Sequence, residues 1–281
     1  MREEQRKRAR SLLGISGFTE LAAVIEGVKP GIRSCATGKK AAEISELASE
    51  LNLCFDESTY AVEEGIATGG IVHTLRRLPR RPEKEDRRFI YIGVDNLAIH
   101  FMKTFDTRDH RRLGFSLGYP KCCIDFFERN FSQNTHDLVP LVGLTNEGRY
   151  EPLLNYACRH FGYKLLSHFP CRWDCEVSYA LARKTFKALE KHDPDLAKET
   201  VHWLETDVLY SPEVVIAMKN PRREGNALLL EQNSYRITGE LKADAVRFEG
   251  DTALVAENHA VRFRLKSIRL LPFQSQQPCF L

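Results

Sequence analysis

No apolar run in this chain approaches the roughly 18 residues that crossing a bilayer requires, so no membrane segment is expected. Its start, MREEQRKRARSLLGISGF, is charged and lacks the apolar stretch that a secretory signal carries. A cytoplasmic location with reduced thiols is the expectation that follows. Charge of one sign is scarce too. The 41 basic and 38 acidic residues leave a net charge of +3, too little to imply nucleic acid by itself. There is no internal repeat, no low-complexity tract and no glycine-rich phosphate loop. The glycine pair in TGG, residues 68–70, lacks the spacing of either nucleotide fingerprint.

What is present belongs to a globular protein with a substantial core: 281 residues, 43% hydrophobic and 28% charged. Against that background eight cysteines stand out, because a reducing compartment offers them no disulfide framework. Free cysteine fills cores as a small hydrophobe, which accounts for scattered thiols better than for clustered ones.

The pattern along the chain predicts an α+β fold: a mixed N-terminal region over residues 1–106, a central helical cysteine-bearing region over 107–210, and a small C-terminal antiparallel β unit over 211–281. The first sixty residues read as helices, SGFTELAAVIEGV and GKKAAEISELASELNL, by cap signals and apolar spacing. Two β-rich runs follow, GGIVHTLRRL and RRFIYIGVDNLAIHFM, the second a buried strand entering a turn at GVDN. TRDHRRLGFSLG, KCCIDFFERNF, EPLLNYACRHFGYKLL and CEVSYALARKTFKALEKH then read as helices. DPDLAKETVHWLE adds another, capped by Asp193 with Pro194 in its first turn. From residue 225 onward short alternating runs punctuated by Gly, Asn and Asp suggest a sheet or barrel.

Two stretches carry the chemistry. In GYPKCCIDFFERNF, Gly118 permits a turn and Pro120 suits a helix start, which places Cys122 and Cys123 in the first turn. Unpaired N–H groups and the positive end of the helix dipole favour thiolate there. In HFPCRWDCEVSYALARKTF, Pro170 precedes a second predicted helix with Cys171 and Cys175 four apart, on one face. Two helix starts bearing two thiols each would stabilise negative charge and hold a metal. Thiolates select zinc, copper or iron–sulfur clusters. Adjacent cysteines fit a single zinc poorly from their spacing, since neighbours diverge by about 100° around a helix, so a [4Fe-4S] cluster on Cys122, Cys123, Cys171 and Cys175 is the leading expectation. A zinc site and a metal-free thiol pair remain alternatives, as does plain core packing. CRWDCEVS opens like the radical S-adenosylmethionine signature, but Ser178 stands where its third cysteine belongs, and that assignment is rejected.

Around the cysteines, His168, Asp125 and Tyr119 are candidate catalytic or proton-carrying groups, with capping or packing as the plainer role of each. Cys158 is a reserve ligand, while Cys35, Cys54 and Cys279 read as packing or surface thiols. The run RRLPRRPEKEDRR, residues 76–88, sets seven basic against three acidic residues. It is either a solvated loop or a contact for RNA.

Gly118, Tyr119, Pro120, Cys122 and Cys123 also resemble the Gly-Tyr-Pro-x-Cys-Cys signature of a prokaryotic family of unknown function. FIYIGVDN upstream fits that family's layout, and the resemblance covers about the middle third of the chain. It implies that the cysteine pair acts as a unit and carries no activity with it. The expected function is a cytoplasmic metal-binding enzyme of oxidoreductase or sulfur-transferase type acting on a small-molecule substrate. The alternatives are a zinc-stabilised module that grips RNA or a protein, and a cysteine thiol enzyme.

Overall fold

A computed structural model of the chain describes residues 1–65, 67–68, 71–72, 75–106, 109–132, 137–144, 150–210, 215–224, 227–229, 235–238, 245–249, 252–256 and 259–262. The chain is α+β, helices packing with antiparallel sheets. Helix α1 spans Glu3–Ile25, so the charged start is itself helical and the helix does not wait for Ser16. Gly14 kinks it at φ 67°, a left-handed conformation that glycine adopts without a Cβ penalty. After α1 the chain departs from the all-helical expectation. Strand β1 (Gly31–Thr37) precedes helix α2 (Gly38–Glu50), and its sequence GIRSCAT signals a strand only weakly. Pairing along its whole length, from Gly31 opposite Gly93 to Thr37 opposite Arg87, makes it one.

Strands β2 (Cys54–Glu57), β3 (Val62–Glu64), β4 (Ala67–Thr68), β5 (Ile71–Val72), β6 (Leu75–Arg77) and β7 (Arg87–Gly93) follow. The buried strand β7 is the hub, with β1 on one edge and both β2 and β3 on the other, while β6 pairs beyond β3. Its alternation divides two cores, as the period-2 geometry of a strand requires. Ile90 and Ile92 face the main core, and Phe89 and Tyr91 face a smaller one with Val62, Ile99, Met102, Leu113 and Leu117. Burying each such side chain contributes roughly 1.5–3 kcal/mol.

The strand does not continue through LAIHFM as the sequence suggests. Asp95 caps helix α3 (Asn96–Phe105) by accepting from the Ala98 N–H at 2.7 Å. Helices α4 (His110–Ser116), α5 (Lys121–Asn130) and α6 (Val139–Leu144) come next. EPLLNYACRHFGYKLL is not one helix but two short 3₁₀ turns, Pro152–Leu154 and Tyr156–Phe161, leading into an irregular segment. Asn155 breaks the run at ψ 80°, and its amide donates instead to the Leu204 carbonyl at 3.0 Å. Helix α7 (Glu176–His192) packs against α1 and against α8 (Pro194–Leu204), where Asp193 caps by accepting from the Leu196 N–H.

The β-rich remainder holds β8 (Asp207–Tyr210), β9 (Val215–Met218), β10 (Arg222–Glu224), β11 (Ala227–Leu229), β12 (Tyr235–Ile237), β13 (Ala245–Glu249), β14 (Thr252–Ala256) and β15 (His259–Arg262). They form a small three-stranded sheet, β12-β9-β8, and a five-stranded one, β10-β11-β13-β14-β15. The main core draws on α1, α2, β1, β7, α5, α7, α8, β8 and β9. Cys123 of α5 and Cys175 at the start of α7 lie inside it, with Cys122 and Cys171 packed against it.

Candidate metal centre

Helix α4 ends on Gly118 at φ 77°, where the Tyr119 N–H bonds back to the Gly114 carbonyl at 2.9 Å. This left-handed stop turns the chain sharply into Pro120, which sits at the N-cap of α5. The Pro120 carbonyl takes the N–H groups of both Cys123 and Ile124 at 3.0 Å, and that fixes the first turn carrying the vicinal thiols. Cys123 is buried and Cys122 half-buried. Ile124 and Phe126 bury beside them, while Phe127 and Phe131 stack on each other at 4.5 Å between ring centres.

The second pair reaches the same place by a different local structure from the one its spacing suggests. Cys175 is the N-cap of α7, and Cys171 lies in the turn before it, not on the helix. Trp173, fully buried, pins that turn to the core, and its carbonyl accepts the Glu151 N–H at 2.9 Å.

The four sulfurs converge. All four Sγ atoms lie within 4.8 Å of one another. Cys122 and Cys123 are 3.9 Å apart, Cys122 and Cys175 3.7 Å, and Cys123 and Cys175 3.8 Å. The Cys171 N–H donates to Cys123 Sγ at 3.4 Å, and the Ser178 hydroxyl stands 3.1 Å from the same sulfur. Cys175 is held far below the usual thiol range by the S–H groups of Cys123 and Cys171. Cys123 is pushed well up by its hydrogen bonds to Cys171 and Cys175. Thiols this close resist more than one negative charge among them, since each further thiolate meets the first. A positive ion removes that resistance. These four cysteines can hold a metal ion.

The candidate catalytic groups divide. His168 is buried, and its Nε2 lies 3.0 Å from Ser178 Oγ, which joins it to Cys123 through one hydroxyl. Burial, and then the Lys29 ammonium, lower its pKa to about 3, so it is neutral at ordinary pH. Tyr119 is packed against the His168 ring at 4.9 Å, and burial, then Glu20, raise its phenol well above the usual range. Beneath them Glu20 takes both Lys29 and Lys164 at 2.8 Å. Asp125 is engaged in ion pairs, with Lys121 at 2.6 Å and Arg111 at 2.8 Å. Lys121, by its hydrogen bond, keeps that carboxyl below the ordinary range.

Cys158 is elsewhere: its thiol donates to the Trp203 carbonyl at 3.1 Å, and burial pushes it up to about 12. Cys35 and Cys54 line the smaller core, and Cys279 falls outside the described residues. Ser178 is the group that sequence reasoning undervalued. It registered only as a missing cysteine, although a residue three past Cys175 in a helix's first turn returns toward the cap. In the loop 76–88, Arg76 pairs with Glu63, Arg77 with Asp106, Arg80 with Asp86, Arg87 with Glu64 and Arg88 with Glu57. Its excess charge is therefore largely neutralised within the fold.

No helix among the described residues is long and apolar enough to cross a membrane. No family model, no curated protein and no solved structure matches the chain.

Proposed function

We propose that Cys122, Cys123, Cys171 and Cys175 bind one tetrahedral metal ion, zinc by preference, and that this ion locks the start of α5 to the start of α7 in a binding module. The sulfur spacing carries the reading. An ion with metal–sulfur bonds of about 2.3 Å sets its four sulfurs about 3.8 Å apart. Three of the separations here run from 3.7 to 3.9 Å. A four-iron cluster carries its thiolates on the outer corners of a cube and asks for a wider frame. The divergence of adjacent helical positions, which argued against zinc from the sequence, still leaves the Cys122 and Cys123 sulfurs 3.9 Å apart, within reach of one ion. Two of its four sulfurs are buried, and four protein ligands leave no open position, the arrangement of a structural site.

One cleft of about 440 Å³ lies between Phe55, Asp56 and α3, and another of about 560 Å³ lies along Lys198, His202 and Arg236. Neither is lined by a cysteine of the cluster. The Gly-Tyr-Pro-x-Cys-Cys stretch, on this reading, is the half of the site that a tight turn and a proline cap pre-form.

Elemental analysis of protein purified without air tests the proposal. One zinc per chain in colourless protein is the expected result. Brown protein with about four irons per chain would replace the single ion by a cluster and reopen redox or sulfur-transfer chemistry. No metal, with one cysteine alkylated unusually fast at neutral pH, would favour a thiol enzyme.

A further inference from the structure

Beyond the metal centre, the outward face of α7 carries charge that the fold does not use. Val177, Ala180, Lys184, Lys187 and Lys191 recur at three- and four-residue steps and form one exposed stripe, with Arg183 beside it. Among the described residues, Arg183, Lys184 and Lys187 have no carboxylate within 4.0 Å, and Arg183 lies over the Tyr179 ring at 5.9 Å. The acidic residues of the helix lie beyond the two ends of this set, Glu176 at its start and Glu190 a turn further on. Lys191, by contrast, is paired with Glu26 at 2.7 Å. The helix dipole favours cations in the last turn, which accounts for Lys191 and His192 but not for three in the middle of the helix. The loop 76–88 shows the opposite economy, five of its seven basic residues being paired internally.

We propose that this stripe binds the sugar–phosphate backbone of single-stranded RNA without reading its bases, through Arg183, Lys184 and Lys187. Unpaired cations one helical turn apart provide contacts for successive phosphates, and their chemistry is sequence-blind. The partner is a strand and not a lipid surface because Val177 is the one large apolar side chain exposed on α7, leaving little to insert into a bilayer. The reading does not depend on which ion the cysteines hold.

The test is fluorescence anisotropy of the full-length, metal-loaded protein with a labelled 20-nucleotide oligouridylate. Three phosphate contacts on a single strand predict a slope of about −2 in log affinity against log salt, roughly a twentyfold loss from 50 to 200 mM. The triple variant R183A/K184A/K187A, in which alanine preserves the helix, should lose most of that binding and flatten the slope. R183K/K184R/K187R should retain it, and R81A/K84A in the loop should leave it unchanged. The proposal is overturned if the parent does not bind, if the triple alanine variant binds as the parent does, or if the loop variant loses binding. Equal competition by polyglutamate would assign the face to an acidic protein, and binding to phosphatidylserine vesicles but not to RNA would assign it to lipid; either overturns it. Metal per chain, measured on the same samples, keeps failure of this inference separate from failure of the metal reading.

Discussion

Asp106 and the four sulfurs are both withdrawn from water, but their charge is balanced differently. Asp106, with a wholly buried side chain, meets Arg33 at 2.5 Å and Arg77 at 3.8 Å, and takes the hydroxyls of Tyr60 and Tyr91. Its charge is answered by the chain itself. Around the sulfurs the nearest cations in sequence are diverted. Lys121 turns to Asp125 and Arg172 to Asp174, at 2.6 and 3.1 Å. The sulfurs meet one another, the Ser178 hydroxyl and backbone N–H groups. A polar cluster that carries its own counter-charges is a structural tie. One made of four like donors competing for negative charge can take its counter-charge from outside, and the proposed ion would supply it.

The largest test of this contrast exchanges a single residue in each cluster. Cys175→Ser should drop the metal-to-chain ratio from near one to below a tenth and cost much of the fold's stability, because metal binding energy of about 10 kcal/mol or more is folding energy in such sites. Asp106→Ala should cost about 3 kcal/mol in denaturant unfolding while leaving the metal ratio untouched. The lower end of the range for a broken buried pair applies because Arg33 and Arg77 are 29% and 32% exposed and can turn to water. Loss of metal in the aspartate variant and its retention in the serine variant would invert the comparison.

Much of the cysteine site is visible in the sequence because its halves are local. Gly118 and Pro120 announce a turn and a helix start, and the spacing of Cys171 and Cys175 announces a second pair. That the halves meet is a property of packing that no local pattern carries, and the meeting uses a turn where the spacing suggested a helix. Strand β1 and helix α3 escaped notice for related reasons. GIRSCAT is a strand through its partner β7, and LAIHFM is a helix through the Asp95 cap, one residue that outweighs an apolar run. Asn155 likewise trades a helical turn for a bond to the end of α8. The charged loop was legible as composition only, since its neutralisation depends on Glu57, Glu63, Glu64 and Asp106, distant in sequence.

A smaller effect separates the group that touches the sulfur cluster indirectly. Burial and Lys29 lower the His168 pKa to about 3, from an ordinary 6.5. Above pH 6.5 neither the folded nor the unfolded chain protonates it. As pH falls from there toward 3, the unfolded chain takes up a proton that the folded chain refuses, so stability declines. His168→Gln can keep a hydrogen bond to Ser178 and has no such proton. With zinc in excess, unfolding measured at pH 7 and pH 5 should show the parent losing about 2 kcal/mol more than the variant. Equal losses would mean that His168 is not buried neutral beside the site.

Asp125 should give the smallest change, although it is only two residues beyond Cys123. Its carboxylate is taken up by Lys121 and Arg111, which are 70% and 43% exposed. Ion pairs so exposed are screened and contribute little. Asp125→Asn should therefore leave the metal ratio at its parental value and move the thermal midpoint barely beyond the error of the measurement, with whatever shift there is fading in high salt. A drop in metal content would show that the carboxylate takes part with the sulfurs, and the boundary drawn between the self-balanced ion pairs of α5 and its cysteines would then have to move.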